Sequence, residues 1–163
     1  DWSLNNEFRY SKYYSPNDSA IMSFRFLAAS INSLSGDDVR ISKRIFLPSK
    51  RMRGFESGKI GPVDEGDYVG GNYASALNIA TTLPGLLTDL EDVDFSLFFD
   101  AGNVWGVDYS DTVSSNSKIR SSTGLGIDWL TPIGPLSFSF SKAISKADSD
   151  KTETFRFDLG TSF

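Results

Sequence analysis

The sequence predicts an all-β fold: a portion of an antiparallel transmembrane β-barrel, about seven strands with one long inward-folding loop at 32–71. Three observations carry that expectation. Apolar residues recur at every second position through several segments, the period of a strand with one apolar and one polar face. The connections alternate between short turns and longer polar stretches, as periplasmic turns and outer loops do in bacterial barrels. Aromatic residues make up 13% of the chain, and several (Tyr14, Tyr73, Trp105, Trp129, Phe163) fall near strand ends, where membrane barrels carry their aromatic girdles.

Each strand phases by the same rule. Phe8, Tyr10, Lys12 and Tyr14 alternate with Glu7, Arg9, Ser11 and Tyr13. Met22, Phe24, Phe26 and Ala28 alternate with Ser23, Arg25 and Leu27. Tyr73, Ser75, Leu77, Ile79 and Thr81 stand against Ala74, Ala76, Asn78 and Ala80. Phe95, Leu97, Phe99 and Ala101 stand against Ser96, Phe98, Asp100 and Gly102. Leu125, Ile127 and Trp129 alternate with Gly124, Gly126 and Asp128, and Leu136, Phe138 and Phe140 with three serines. In the closing strand Phe155, Phe157, Leu159, Thr161 and Phe163 oppose Arg156, Asp158, Gly160 and Ser162. Strands of roughly 9–12 residues cross a bilayer when tilted. The connections 15–18 and 131–135 are short, 84–93 is intermediate, and 32–71, 105–119 and 145–153 are longer and polar. Small residues on the inward face predict a polar, close-packed lumen.

Composition narrows the function. The net charge of −5 argues against a nucleic-acid binder, which presents a basic surface. With no Cys and no His, disulfides, thiolate chemistry, imidazole catalysis and most zinc sites are excluded. No apolar run approaches the roughly 20 residues of a membrane helix, a fact that does not bear on strands. Alternation alone is shared with a soluble β-sandwich or a lipocalin-like barrel; the aromatic end of the last strand, the placement of the aromatics and the loop asymmetry favour the membrane. A carboxylate site from Asp37, Asp38, Asp64, Glu65 and Asp67 is conceivable, but acidic loops are more often simply solvated, and no metal or cofactor is assigned.

The 32–71 loop is too long for a passive connection. It holds Ile45-Phe-Leu47, Arg51-Met-Arg-Gly-Phe55, Gly58, Gly61-Pro62 and Gly70-Gly71, a mixture that suits a loop folding back and packing. Within it, Arg53-Gly54-Phe55 resembles the Arg-Gly-Phe/Tyr signature of the BamA family of outer-membrane assembly factors and two-partner secretion transporters. Gly36-Asp-Asp-Val39 with Arg44-Ile-Phe-Leu47 resembles the run into that signature, and Ile60-Gly-Pro62 with Gly70-Gly-Asn72 resembles the stretch after it. Phe98-Phe-Asp-Ala-Gly102 resembles the family's Phe-x-Asp-x-Gly strand motif. Ser122-Thr-Gly-Leu-Gly126 to Trp129, then Pro132-Ile-Gly-Pro-Leu136, resembles its penultimate hairpin. The resemblance runs from about residue 36 to Phe163.

The resemblance implies a loop tucked into the barrel, with Arg53 meeting Asp100 of the strand motif Phe98, Asp100 and Gly102. The phasing separately points Asp100 inward, where an isolated carboxylate is costly and a guanidinium fork suits it; the alternative is a solvated arginine and a carboxylate bathed in lumen water. One departure stands out: the strand after the loop often carries an inward acid in the family, whereas here the inward residues are Ala74, Ala76, Asn78 and Ala80. The family barrel has sixteen strands after periplasmic POTRA domains, so residues 1–163 are expected to be the C-terminal portion of a barrel, with the POTRA domains and N-terminal strands absent. Phe155, Phe157, Leu159, Gly160 and Phe163 would then form the closing strand at the barrel seam. The implied function is non-enzymatic assembly and insertion of outer-membrane β-barrel proteins in the bacterial cell outer membrane. Expected partners are the lipid bilayer, nascent outer-membrane proteins and, through the POTRA domains, accessory assembly lipoproteins, with no nucleic acid. Self-association through raw strand edges is also expected. The alternatives are a two-partner-secretion or TamA-like translocation barrel and, remotely, a barrel enzyme, whose Ser-His arrangement the missing histidine forbids.

Overall fold

The computed structural model describes residues 2–17, 20–34, 43–48, 51–82, 92–106, 118–147 and 150–159. Its strands are β1 (Ser3–Asn17), β2 (Ala20–Ser33), β3 (Val63–Asp64), β4 (Asp67–Tyr68), β5 (Tyr73–Thr82), β6 (Val93–Trp105), β7 (Arg120–Thr131), β8 (Gly134–Ser145) and β9 (Phe155–Leu159). Seven of them form one sheet in the order β1-β2-β5-β6-β7-β8-β9, every neighbour antiparallel. That is the strand count and meander the periodicity predicts. β1 and β2 run longer at both ends than the alternation alone marked. Of the closing strand, Gly160 and Phe163 lie outside the described residues.

The register carries the alternation across the sheet. Phe24, Ile79 and Phe99 share a row, as do Leu97, Leu125 and Phe140. Phe24, Phe99, Leu97 and Phe140 of these rows, with Phe8, Tyr10, Phe155, Phe157 and Leu159, stay exposed on the outer face, and Ile79 and Leu125 between them are half-buried. A face this apolar is what a lipid-facing wall requires and what a soluble sheet avoids. Cross-strand aromatics tile it: Phe138 lies 5.1 Å from Phe157, and Phe140 lies 5.1 Å from Phe155. The β7–β8 turn is tight, with Gly134 at φ +124° and the Thr131 hydroxyl donating to the Gly134 carbonyl at 2.6 Å.

The opposite face receives the long loop. Leu47, Met52, Phe55 and Ile60 of the loop are buried with Leu27, Ala74, Ala76 and Val104 of the wall in one apolar core. The inner face is therefore polar along β7 and β8, as the serines suggested, but apolar where the loop sits. Small alanines there leave room for a packed loop instead of a wet lumen. The loop also has secondary structure of its own. β3 and β4 form a hairpin whose turn residues Glu65 and Gly66 take φ +50° and +85°, the left-handed pair of a type I′ turn. Ile45 and Gly71 close the base of the loop with reciprocal backbone hydrogen bonds of 2.8 and 3.0 Å.

Candidate functional site

One inward row crosses the sheet. Arg25 of β2 faces Asn78 of β5, Asn78 faces Asp100 of β6, and Asp100 faces Ser122 of β7. The loop tip lands on this row. A turn closed by the Phe55 amide on the Met52 carbonyl (3.3 Å) presents Arg53 and Gly54 to the wall. Gly54 has φ +92°, and a Cβ on it would stand 3.0 Å from the Cβ of Ser122. Both the backbone conformation and the close approach therefore require glycine there. The Ser122 hydroxyl donates to the Arg53 carbonyl, pinning the turn from the β7 side.

Arg53 and Asp100 meet as a two-pronged pair. Arg53 Nε donates to Asp100 Oδ2 at 2.8 Å and Nη2 to Oδ1 at 2.9 Å, while the Arg53 backbone amide adds a third bond to Oδ2 at 3.0 Å. Both side chains are buried, at 4% and 0% exposure. Asn78 Nδ2 donates the fourth bond to Asp100, at 2.8 Å to Oδ1. The carboxylate thus accepts four hydrogen bonds, which is what makes a desolvated charge tolerable. Strand spacing assigns the rest of the motif. Phe98 lies under the guanidinium, 3.8 Å from Arg53 Cζ to the ring centroid, in cation–π geometry. Gly102 leaves space for Met52: a Cβ there would come within 2.9 Å of the Met52 sulfur and 2.7 Å of the Ser75 carbonyl oxygen. Phe55 is buried in the core cluster and bridges to Thr152.

Asn78 ties a second loop arginine to the wall. Its oxygen accepts from Arg51 Nη1 at 3.2 Å rather than from Arg53, and its amide also donates to the Arg51 carbonyl at 2.8 Å. Burial, then the charge of Arg9, lowers the Arg51 guanidinium from its ordinary value; an arginine still stays charged at neutral pH. Phe155, Phe157 and Leu159 point outward, away from this site, and join it only through the backbone. Asp64, Glu65 and Asp67 sit on the β3–β4 hairpin, and Asp37 and Asp38 lie outside the described residues. Among the described residues no group of three or more acidic side chains is arranged to hold a metal.

Sequence reasoning missed a second buried ion pair. Arg120 opens β7 and forks onto Asp150 of the β8–β9 connection, Nε to Oδ2 at 2.8 Å and Nη2 to Oδ1 at 3.2 Å, both side chains fully buried. Nη1 donates to Asn103 Oδ1 at 2.5 Å and to the Lys118 carbonyl at 2.9 Å. The signal was present in the chain: Arg120 phases with Ser122, Gly124 and Gly126 on the inward face, and an inward charge demands a partner as much as Asp100 does.

Comparison with known proteins places this geometry. The model of the Omp85 superfamily domain matches residues 3–163. The outer membrane protein assembly factor BamA of Neorickettsia risticii is 32% identical over 98% of this chain and 22% of its own length. BamA of Neisseria meningitidis serogroup B is 33% identical over 69% of this chain and 17% of its own. A SAM50-like protein of Schizosaccharomyces pombe is 29% identical over 90% of this chain and 33% of its own. The crystal structure of BamA from Haemophilus ducreyi lacking POTRA domains 1–3 superposes with a TM-score of 0.83 at 26% identity, covering 95% of this chain and 34% of that one. The chain thus spans about a fifth of the length of the Neorickettsia and Neisseria relatives. With a match along nearly its whole length, on a seven-stranded wall holding a docked Arg-Gly-Phe loop, the chain belongs to the Omp85 superfamily.

Proposed function

We propose that this chain forms the C-terminal barrel wall and docked loop of an outer-membrane β-barrel assembly factor. The observation that carries the reading is the buried Arg53–Asp100 pair, which fixes a long loop against the inner wall of a sheet whose outer face is built for lipid. The likeness to proteins named BamA supports assembly over the secretion alternative. The relatives' much greater length supports a parent with further strands and POTRA domains, through which accessory lipoproteins would bind. In that parent the sheet stands in the outer membrane, and β9 is one side of the seam where nascent outer-membrane proteins pair. Strand pairing and local opening of a wall require no bond-making step, so the role is non-enzymatic. Arg53, Gly54 and Phe55 hold the loop, Phe98, Asp100 and Gly102 receive it, and Phe155, Phe157 and Leu159 belong to the closing strand.

The test is charge reversal in the full-length protein. Arg53→Glu and Asp100→Arg are each expected to impair insertion of client barrels, and the double change to recover part of it. Client assembly unaffected by both single changes would refute a role for the docked loop in assembly.

A further inference from the structure

We propose that Arg120 and Asp150 form a latch that binds the entry of strand β9 to the docked loop tip, so that loop and strand open as one unit. After β8, Asp150 is bonded back to Ala147: the Asp150 amide donates to the Ala147 carbonyl at 3.1 Å, and the Asp150 carboxylate accepts from the Ala147 amide at 2.8 Å. Arg120 grips that carboxylate with its fork from β7. Beyond Asp150, residues 151–153 run antiparallel to the loop tip. The Glu56 amide donates to the Lys151 carbonyl (3.0 Å), the Lys151 amide to the Lys59 carbonyl (3.1 Å) and the Glu153 amide to the Gly54 carbonyl (2.9 Å), around the Phe55–Thr152 bridge. On its other side the same segment accepts from β8, the Ser141 amide donating to the Thr154 carbonyl at 2.8 Å. One residue later β9 begins.

β9 is entered through this anchoring. Its first described rung on β8 is Phe140↔Phe155, directly after the tied segment. A strand frays from its ends unless they are tied. The loop tip is held at two points, by Asp100 of β6 through Arg53 and by the latched segment through its backbone. A fully desolvated ion pair is intolerant of losing one partner, so the latch has two states: closed with both charges paired, or opened with the whole segment moved. Peeling β9 from its entry end pulls on Gly54 and Glu56, and releasing the loop removes the tie on β9.

The latch rests on the docked-loop geometry and is read by amide exchange, independently of any assembly assay. Hydrogen exchange is measured in the full-length protein in lipid nanodiscs, in Arg120→Ala and in the isosteric Asp150→Asn. In both, exchange at residues 54–59, 151–153 and 155–159 is expected to accelerate together, on the order of a hundredfold, with β5 (73–82) unchanged. This chain has no cysteine, so Glu56→Cys with Lys151→Cys gives a clean, reversible tie between exposed neighbours of the Phe55–Thr152 bridge. The oxidised tie is expected to restore slow exchange at 155–159 in Arg120→Ala, and to slow it further without that substitution, each effect lost on reduction. Protection of 155–159 that stays unchanged while 151–153 opens overturns the proposal. So does a disulfide that forms in the otherwise unchanged protein and leaves 155–159 exchange as it was, a measurement that does not depend on either latch variant folding.

Discussion

Asp100→Asn tests the docking site with the smallest change of shape. The carboxylate accepts two hydrogen bonds on each oxygen: Arg53 Nε and the Arg53 amide on Oδ2, Arg53 Nη2 and Asn78 Nδ2 on Oδ1. An amide keeps one oxygen. Whichever way it turns, two of the four donors then face an NH2 group, and the buried guanidinium loses its counter-charge. Hydrogen bonds to charged groups are worth about 1.5–3 kcal/mol each, and breaking one side of a buried pair costs about 3–5 kcal/mol. Water entering the lumen recovers part of that, so a net loss of about 3 kcal/mol is expected, roughly a hundredfold in the equilibrium between docked and released loop. Met52, buried against Gly102, is the reporter position. In a Met52→Cys background, with no other cysteine in this chain, the rate at which a small thiol reagent labels the loop tracks the released population when reclosing is fast. Labelling about a hundredfold faster in Asp100→Asn is the expected result. A rate within about threefold of the parent would show that the pair contributes little to docking, and the four-bond arrangement would not be what holds the loop.

The wall itself yields three more outcomes. Gly124→Ala would place a Cβ 2.1 Å from the Phe140 carbonyl oxygen and 2.7 Å from the Phe98 ring; overpacking of this kind costs about 1–3 kcal/mol, so the unfolding midpoint in denaturant is expected to fall, and an unchanged midpoint would contradict the contact. Leu97→Arg sets a charge at mid-strand on the exposed outer face, with an expected loss of about 2–4 kcal/mol in lipid-reconstituted folding titrations; a silent substitution there would argue against a lipid-facing wall. The isolated 163-residue chain is expected to self-associate in detergent through β1 and β9, the edges of its sheet, and a monodisperse monomer by light scattering would count against open edges.

The meander was legible because period two is a local property: each strand declares its own two faces, and hairpin connections order the neighbours. Asp100 and Arg120 were both readable as inward charges by the same phasing, yet only Asp100 acquired a partner from sequence, because only its partner lay in a recognisable motif. Asp150 sits in a polar connection among other acids, and nothing local distinguishes a latched aspartate from a solvated one. The apolar inner wall was hidden for a related reason. Ala74 and Ala76 read only as inward positions, and their burial depends on Leu47, Met52 and Phe55 arriving from a loop about twenty to thirty residues upstream. The β3–β4 hairpin was missed because its strands are two residues long, too short for any periodicity to show.

Asn78 shows how the loop is held here without a second inward acid. Its amide donates to Asp100 Oδ1 and to the Arg51 carbonyl, both at 2.8 Å, and its oxygen accepts from Arg51. A carboxylate at this position would lose both donated bonds and stand directly opposite Asp100 in the register, where like charges on paired strands repel. Its gain would be a charged contact with Arg51, which is only half-buried and therefore weakly rewarded. Asn78→Asp is accordingly expected to release the loop more than Asn78→Ala, although alanine removes all three bonds and aspartate keeps the Arg51 contact. Neutral truncation costs hydrogen bonds alone, about 0.5–1.5 kcal/mol each, while aspartate adds repulsion to the loss. The thiol-labelling rate at Met52→Cys ranks the two. If Asn78→Asp holds the loop more tightly than Asn78→Ala, then Arg51 and Arg53 together carry more uncompensated positive charge than Asp100 neutralises, and the docking site is short of acid rather than balanced by one.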